Sequence, residues 1–397
     1  LGRVRLARTL ENAATEHPTN EQHGIKVQTR WAYHSGSPSA SNGEYMLTSN
    51  PYRGATSGTA SAEPTMGWTV EFESKSGNLK TVETFSGSGL PSLWGSSATS
   101  TGKIEVTENA NTNTTIDEAG KKRRTVTDAL GRLIRVDEPD AGGSLDSSTS
   151  ATNYTHDALG NLTQIVQGGQ TRSFTYSSLS RLLTSTNPES GAFQYTYDPN
   201  GNLLTKTDAR AISTTYTYDA LNRATFRNYS DSTPDITYTY DDPQVPFSKG
   251  KLTKVSSAVS ETSLLGFDAQ ERITASRQRT DGKDYDFAYT YNLDDDLVTQ
   301  TYPSGKVVKF DYDASGDLAQ VGKVTATGAQ VYANSFDYAA HGQIEKLRLG
   351  NGKWETTHFN SSRQITQIGL GHAATDTGLS KVTYAYGAWT GTAIAPC

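Results

Sequence analysis

A Tyr-x-Tyr-Asp signature, followed a few residues later by a glycine and a leucine, recurs along this chain about every twenty residues. A period of that length means that one small supersecondary unit is repeated and that each copy leans on its neighbours rather than on a core of its own. The sharpest copy reads Tyr195, Thr196, Tyr197, Asp198, Pro199, Asn200, Gly201, Asn202, Leu203, and the next reads Tyr216, Thr217, Tyr218, Asp219, Ala220, Leu221, Asn222, Arg223. Asp198, Asp219 and Asp241 stand 21 and 22 residues apart, and Asn292 and Asp313 stand 21 apart. A register kept that closely predicts one β-hairpin per copy.

Side chains alternate along a strand, so Tyr195 and Tyr197 leave one face while Gln194 and Thr196 leave the other. Tyrosine and threonine both suit a pleated surface. The run stops where Asp198 can bond the backbone ahead of it, Pro199 presets its φ, and Gly201 accepts the positive φ that closes a hairpin. The aspartate is therefore a turn residue first. Leu203 and Leu204 restart the chain, with alternation at Thr205 and Thr207 until a turn near residues 208–211. Weaker copies surround these: Tyr154, Asp157 and Gly160; Phe174 and Ser177; Tyr238, Tyr240 and Asp241; Phe267 and Asp268; Tyr289 and Asn292; Phe310, Asp313 and Gly316; Phe336, Ala339 and Gly342; His358 and Asn360; and Tyr384. Tyrosines that recur at one register position are expected to stack on their counterparts in neighbouring hairpins.

The expected fold is all-β: an array of antiparallel hairpins forming a single-layer sheet. Only 34% of the 397 residues are apolar, where an ordinary globular chain has about 45–50%. A single layer needs fewer buried side chains, because ladder hydrogen bonds and cross-strand pairs carry much of its stability. The 21 Tyr against 11 Phe fit the same picture, since tyrosine covers a neighbour while its hydroxyl stays wet. Residues 1–114 read as an irregular part with degenerate repeats and Ser/Gly-rich loops, and residues 115–397 as the array proper, the two continuous as one solenoid-like domain. Long loops are expected over residues 35–66, 86–102 and 139–152. Leu6, Leu10, Ala13 and Ala14 follow helical spacing, which predicts one short helix over residues 6–16.

Function classes narrow in turn. A net charge of -6 argues against nucleic acid as partner, since such arrays carry basic stripes; the basic run at residues 121–124 reads as a solvated hairpin. No apolar run reaches the length of a membrane span. The single cysteine, Cys397, excludes disulfides within the chain and cysteine metal sites. His17 and His23 lack ligand spacing, and Asp294, Asp295 and Asp296 splay as adjacent residues do, so a solvated turn is expected there rather than calcium. His156 could join a Ser and an Asp, yet no nucleophile elbow is present. The expectation is no enzyme, with no catalytic residue, cofactor or metal. Trp31, Trp68, Trp94, Trp354 and Trp389 fall outside the tyrosine register and are the residues freest to contact a ligand.

Taken together, the tyrosine units resemble the YD-repeat, or rearrangement-hotspot (Rhs), family. Thr125, Val126, Thr127, Asp128, Ala129, Leu130, Gly131, Arg132 and Leu133 are similar to the bacterial form of that repeat. Ser49, Asn50, Pro51, Tyr52 and Arg53 resemble a segment found between such repeats, and residues 117–121 another repeat turn. What the resemblance implies is a strip of hairpins that spirals into a hollow shell, as in the cocoons of insecticidal toxin complexes, polymorphic bacterial toxins and the teneurin barrel. It further implies a secreted or surface-delivered bacterial protein whose shell encloses a toxin or effector polypeptide at the C-terminal end of a longer chain. Relatives release that polypeptide through an aspartate self-cleavage region after the array. Asp198 and Pro199 lie mid-array and do not receive that role. The competing class is an adhesin that uses the outside of the sheet to hold a glycan or receptor, or a surface fibre.

Overall fold

A computed structural model of the chain describes residues 4–9, 24–34, 42–53, 64–145, 150–326 and 328–386. Over these residues the protein is all-β: thirty strands and no helix, in a single-layer antiparallel sheet. The chain divides into two compact units, one made of Thr127–Asp140 and Asp146–Lys309, the other of Leu1–Val126, Ala141–Leu145 and Phe310–Cys397.

The first of these is a meander in which each strand bonds the strand before it in sequence. It runs from Leu133–Asp137 through Ala151–His156, Leu162–Gln167, Gln170–Tyr176, Leu182–Asn187, Gly191–Tyr197, Leu203–Thr207, Ser213–Tyr218 and Ala224–Tyr229. It continues through Ile236–Tyr240, Leu252–Ser256, Ser260–Phe267, Ile273–Thr280, Lys283–Tyr291 and Leu297–Thr301 to residues 307–309. Two hairpin strands per repeat is thus what the period encodes. The faces differ as the alternation predicts. In Gly191–Tyr197 the side chains of Phe193, Tyr195 and Tyr197 are half-buried and those of Ala192, Gln194 and Thr196 are exposed. On the exposed face threonines bond across the hairpin, Thr175 to Thr184 at 2.6 Å, Thr196 to Thr205 at 2.7 Å, Thr217 to Thr225 at 2.9 Å and Thr290 to Thr299 at 2.7 Å. A methyl on each β-branched carbon and a hydroxyl that finds a partner let this face stay wet and ordered.

The second unit carries a denser core. Leu47, Tyr52, Met66, Trp68 and Val70 are buried together, and Tyr45, Phe85, Leu90 and Trp94 pack on them. These residues come from Gly43–Ser49, Gly67–Ser74, Leu79–Ser86 and the turns between them. Asn50 ties the cluster to the C-terminal strands of the same unit, donating from Nδ2 to the carbonyls of Thr65 and Ser361, each at 2.7 Å.

Two expectations change here. The helix over residues 6–16 is not formed at its start, because Val4–Thr9 is a strand paired with Ile25–His34; residues 10–23, with His17 and His23, lie outside the described residues. The stretch expected as loop over residues 35–66 contains the strand Gly43–Ser49, with Leu47 fully buried. Similarly, residues 99–102 and 151–152 belong to Thr99–Asn109 and Ala151–His156. At Gly43 the glycine marks a close approach of backbones, since a Cβ there would meet the carbonyl oxygen of Glu73.

Candidate functional site

The repeated chemistry of this chain is its turn. At Asp219 the backbone N–H donates to the carbonyl of Arg223 and the N–H of Asn222 donates back to the carbonyl of Asp219, both at 3.0 Å. The carboxylate then staples the loop: Oδ1 accepts the N–H groups of Leu221 and Arg223, both at 2.9 Å, and Oδ2 accepts Arg223 Nε at 2.7 Å. These donors hold the carboxyl below its ordinary range, the Arg223 backbone N–H first, working against desolvation, and then the guanidinium and the Leu221 N–H. The fourth position of each turn takes positive φ, whether glycine fills it, as at Gly131, Gly160, Gly201 and Gly316, or not, as at Ser180, Asn222, Glu271 and Asp295.

Immediately before many of these turns the ladder is irregular at the same place, whereas the turns at Asp117 and Asp208 close a regular ladder. Tyr218 faces Ala224 but Thr217 faces Phe226, leaving Thr225 without an opposite residue. The same shift precedes Asp157, Ser177, Asp198, Asp241, Asp268, Asn292 and Asn360. An extra residue on one strand raises the local twist, so its recurrence before Asp198 and Asp219, with none at the Asp208 turn between them, applies the same bend about once per repeat.

The first and fifth turn positions are chemically matched. Asp128, Asp219 and Asp268 accept from Arg132, Arg223 and Arg272 at 2.7 Å, and Asp157 and Asp198 accept from Asn161 and Asn202 at 2.9 and 2.8 Å. Where the first position is Asn292 the roles reverse, and its Nδ2 donates to Asp296 at 3.0 Å. Asn360 donates likewise to Gln364 Oε1 at 3.0 Å. One donor face and one acceptor face are kept although the residues trade places.

Neighbouring repeats are joined in both directions. The fifth-position arginine reaches forward: Arg132 to the Asp157 carbonyl at 3.0 Å, Arg181 to that of Asp198 at 3.0 Å, Arg272 to that of Asn292 at 2.7 Å, and Arg223 to the Asp241 carboxylate at 2.7 Å. In three of the signatures the second tyrosine reaches back, Tyr197 to the Leu182 carbonyl at 2.9 Å, Tyr218 to that of Leu203 at 2.8 Å and Tyr291 to that of Ile273 at 2.9 Å. The expected tyrosine-on-tyrosine stacking gives way to arginine on tyrosine. Arg181 lies 5.3 Å from the Tyr197 ring centroid, Arg223 4.3 Å from Tyr240, and Arg272 4.7 Å from Tyr291. A planar guanidinium can stack and donate from its edge at once, which a second phenol ring cannot do.

The remaining signature residues fall into the same scheme. Tyr154, Tyr195, Tyr216 and Tyr238 occupy half-buried positions on their strands. Asp313 closes its turn with Gly316 and accepts the N–H groups of Ser315 and Asp317 at 2.8 and 3.0 Å. Asp241 departs from the pattern: its N–H bonds the carbonyl of Lys251 at 3.1 Å, so a longer loop replaces the five-residue turn. His156 stands where other copies have the second tyrosine. In the acidic run, Asp295 pairs with Arg272 at 2.8 Å and Asp296 serves the Asn292 turn. Arg124 of the basic run donates to the Leu145 carbonyl at 3.1 Å. The tryptophans are not uniformly free: Trp68 is buried, Trp94 packs on the core, and Trp354 is half-buried, while Trp389 and Cys397 lie outside the described residues. The arginine clip between repeats is what sequence reading missed. Its signal was an arginine four residues after the aspartate at Arg132, Arg223 and Arg272.

Comparison with known proteins agrees with this geometry. The RHS Repeat family matches residues 197–225 and 291–330. No curated protein matches the sequence. Among solved structures, a TcdB2-TccC3-TEV crystal structure aligns with a TM-score of 0.66 at 14% identity, covering 94% of this chain and 20% of that one. A Photorhabdus luminescens Tc holotoxin pore aligns with a TM-score of 0.64 at 12% identity, covering 92% and 22%. A TcdB2-TccC3 crystal structure gives 0.62 at 13% identity, covering 92% and 23%. The chain therefore spans about a fifth of the length of the structures it resembles. The RHS repeat is thus identified at residues 197–225 and 291–330, and the same stapled turn recurs outside them at Asp128, Asp157 and Asp268.

Proposed function

We propose that this chain is a segment of the wall of a shell that encloses a toxin or effector polypeptide in a secreted or surface-delivered bacterial protein, with no catalysis of its own. One observation carries the reading: a meander of hairpins joined by sequence-neighbour ladders, turn staples and forward clips, most of whose strand residues are only half-buried. Such a strip spends its residues on being a continuous sheet, and continuity is what a wall requires. Closing the strip, or covering its ends, removes the unpaired strand edges that would otherwise capture other chains. The fold shared with the TcdB2-TccC3 and Tc holotoxin structures favours the same reading. Among the described residues no helix is long and apolar enough to cross a membrane.

The test is electron cryo-microscopy of the full-length protein expressed from its own gene. A hollow body with density inside it is the expected result. A solid or rod-like particle overturns the proposal and favours the adhesin or fibre reading, in which the outer face holds a glycan or receptor.

A further inference from the structure

Two cations on the half-buried aromatic face of the meander have no acidic partner. Lys206 lies opposite Thr214, and Arg227 lies opposite Tyr216, so they flank the strand Ser213–Tyr218, one on each side. Lys206 Nζ sits 4.9 Å from the Phe193 ring centroid and Arg227 Cζ 5.3 Å from that of Tyr229. Neither side chain joins an ion pair, and Arg227 Nε is buried without an acceptor. Together they line a groove of about 290 Å³. The carboxylates nearby are engaged: Asp208 with Arg210 at 2.6 Å, and Asp231 with the Thr233 N–H at 3.0 Å. In a chain of net charge -6, this is a local cationic surplus.

We propose that this groove is a carboxylate-binding site for an extended acidic polypeptide, Arg227 and Lys206 receiving an Asp or Glu side chain between them. The inference rests on the shell reading, since it supplies the peptide. Each cation sits over a ring and keeps N–H groups to donate, and the planar guanidinium of Arg227 can offer two of them to the two oxygens of a carboxylate. The same posture disfavours a sugar, because the ring faces on which a pyranose would stack are already covered by the cations.

Calorimetric titration of the chain with an acetylated, amidated hexapeptide of alternating Glu and Ser, and with its Gln-for-Glu counterpart, tests this. The Glu peptide is expected to bind about tenfold or more tightly than the Gln peptide, and R227Q and K206Q are each expected to weaken it by about tenfold. R227K, which keeps the charge but loses the fork, falls between. Melting curves confirm that the variants fold; if R227Q does not, K206Q carries the test. Equal binding of the two peptides, no binding, unchanged affinity in the variants, or full displacement by equimolar glucuronate or phosphate overturns the proposal. Failure here with a filled hollow body in the microscope removes the groove alone, whereas binding here with a solid particle removes the shell alone.

Discussion

Replacing Gly201 isolates the cost of the repeated turn's backbone. Its φ is +93°, and a Cβ built there meets nothing within 4 Å, so any penalty comes from the conformation and not from a clash. Holding an L-residue in such a region costs about 1–3 kcal/mol. Removing glycine recovers about 0.5–1 kcal/mol by restricting the unfolded chain. The net expectation is a loss of about 0.5–1 kcal/mol for Gly201→Ala. Gly201→Val should lose about 2 kcal/mol, because a branched Cβ resists positive φ most. Asn tolerates positive φ best, so Gly201→Asn should lose least. For a unit of this size about 1 kcal/mol moves Tm by roughly 2–4 °C, which puts the valine variant about 4–8 °C below the parent. Circular dichroism melts read the shift, and amide exchange in Gly191–Tyr197 and Leu203–Thr207 should show the loss localised to that hairpin. A valine variant that melts with the parent, or an asparagine variant less stable than valine, would refute the reasoning.

Other perturbations address the rest of the turn. Ala211 has φ 64° at the same turn position on the opposite edge, so Ala211→Gly should raise stability by up to about 1 kcal/mol, read in the same melts. Tyr218→Phe removes the 2.8 Å bond to the Leu203 carbonyl and should cost about 1 kcal/mol in denaturant unfolding, with the ring contacts intact. N292D sets two carboxylates against each other across the turn and should lower Tm, whereas the double variant N292D/D296N restores a donor–acceptor pair and should recover most of the loss. The turn carboxyls of Asp128, Asp157 and Asp219 are held below their ordinary value of 3.8 in the folded chain. Their contribution is therefore complete above that value and lost as pH falls through the depressed ones. Tm should be insensitive to these groups from pH 5 to 8 and fall below about pH 4, less steeply in D219N.

What was legible in the sequence was whatever a residue decides within its own hairpin. Alternating Tyr and Thr set the faces, and Asp198 with Gly201 set the turn, because each acts on backbone within four residues. The clip was hidden because it spans repeats: Arg223 and Asp241 are 18 positions apart, and only the register of the intervening strands brings them within 2.7 Å. The one-residue register shift before Asp219 was hidden for a related reason, since an unopposed Thr225 looks like any other strand residue until its partner strand is known. In the first hundred residues the repeat text is replaced by Ser and Gly, and Gly43–Ser49 shows that small residues there mark close approach of backbones rather than slack. Trp68 escaped for the opposite reason: lying outside the tyrosine register freed it from the array and placed it in the separate core around Leu47.

The forward arginine and the backward tyrosine give each seam between repeats a polarity. As the chain leaves the ribosome, a finished hairpin already offers carbonyls to the tyrosine that follows, but its arginine must wait for a successor. Each added hairpin thus completes the arginine contact of the one before it, and a cut that excises one whole period rejoins matching ends. Excising half a period would leave a guanidinium facing the wrong rim, so such arrays can lengthen or shorten only in integral steps.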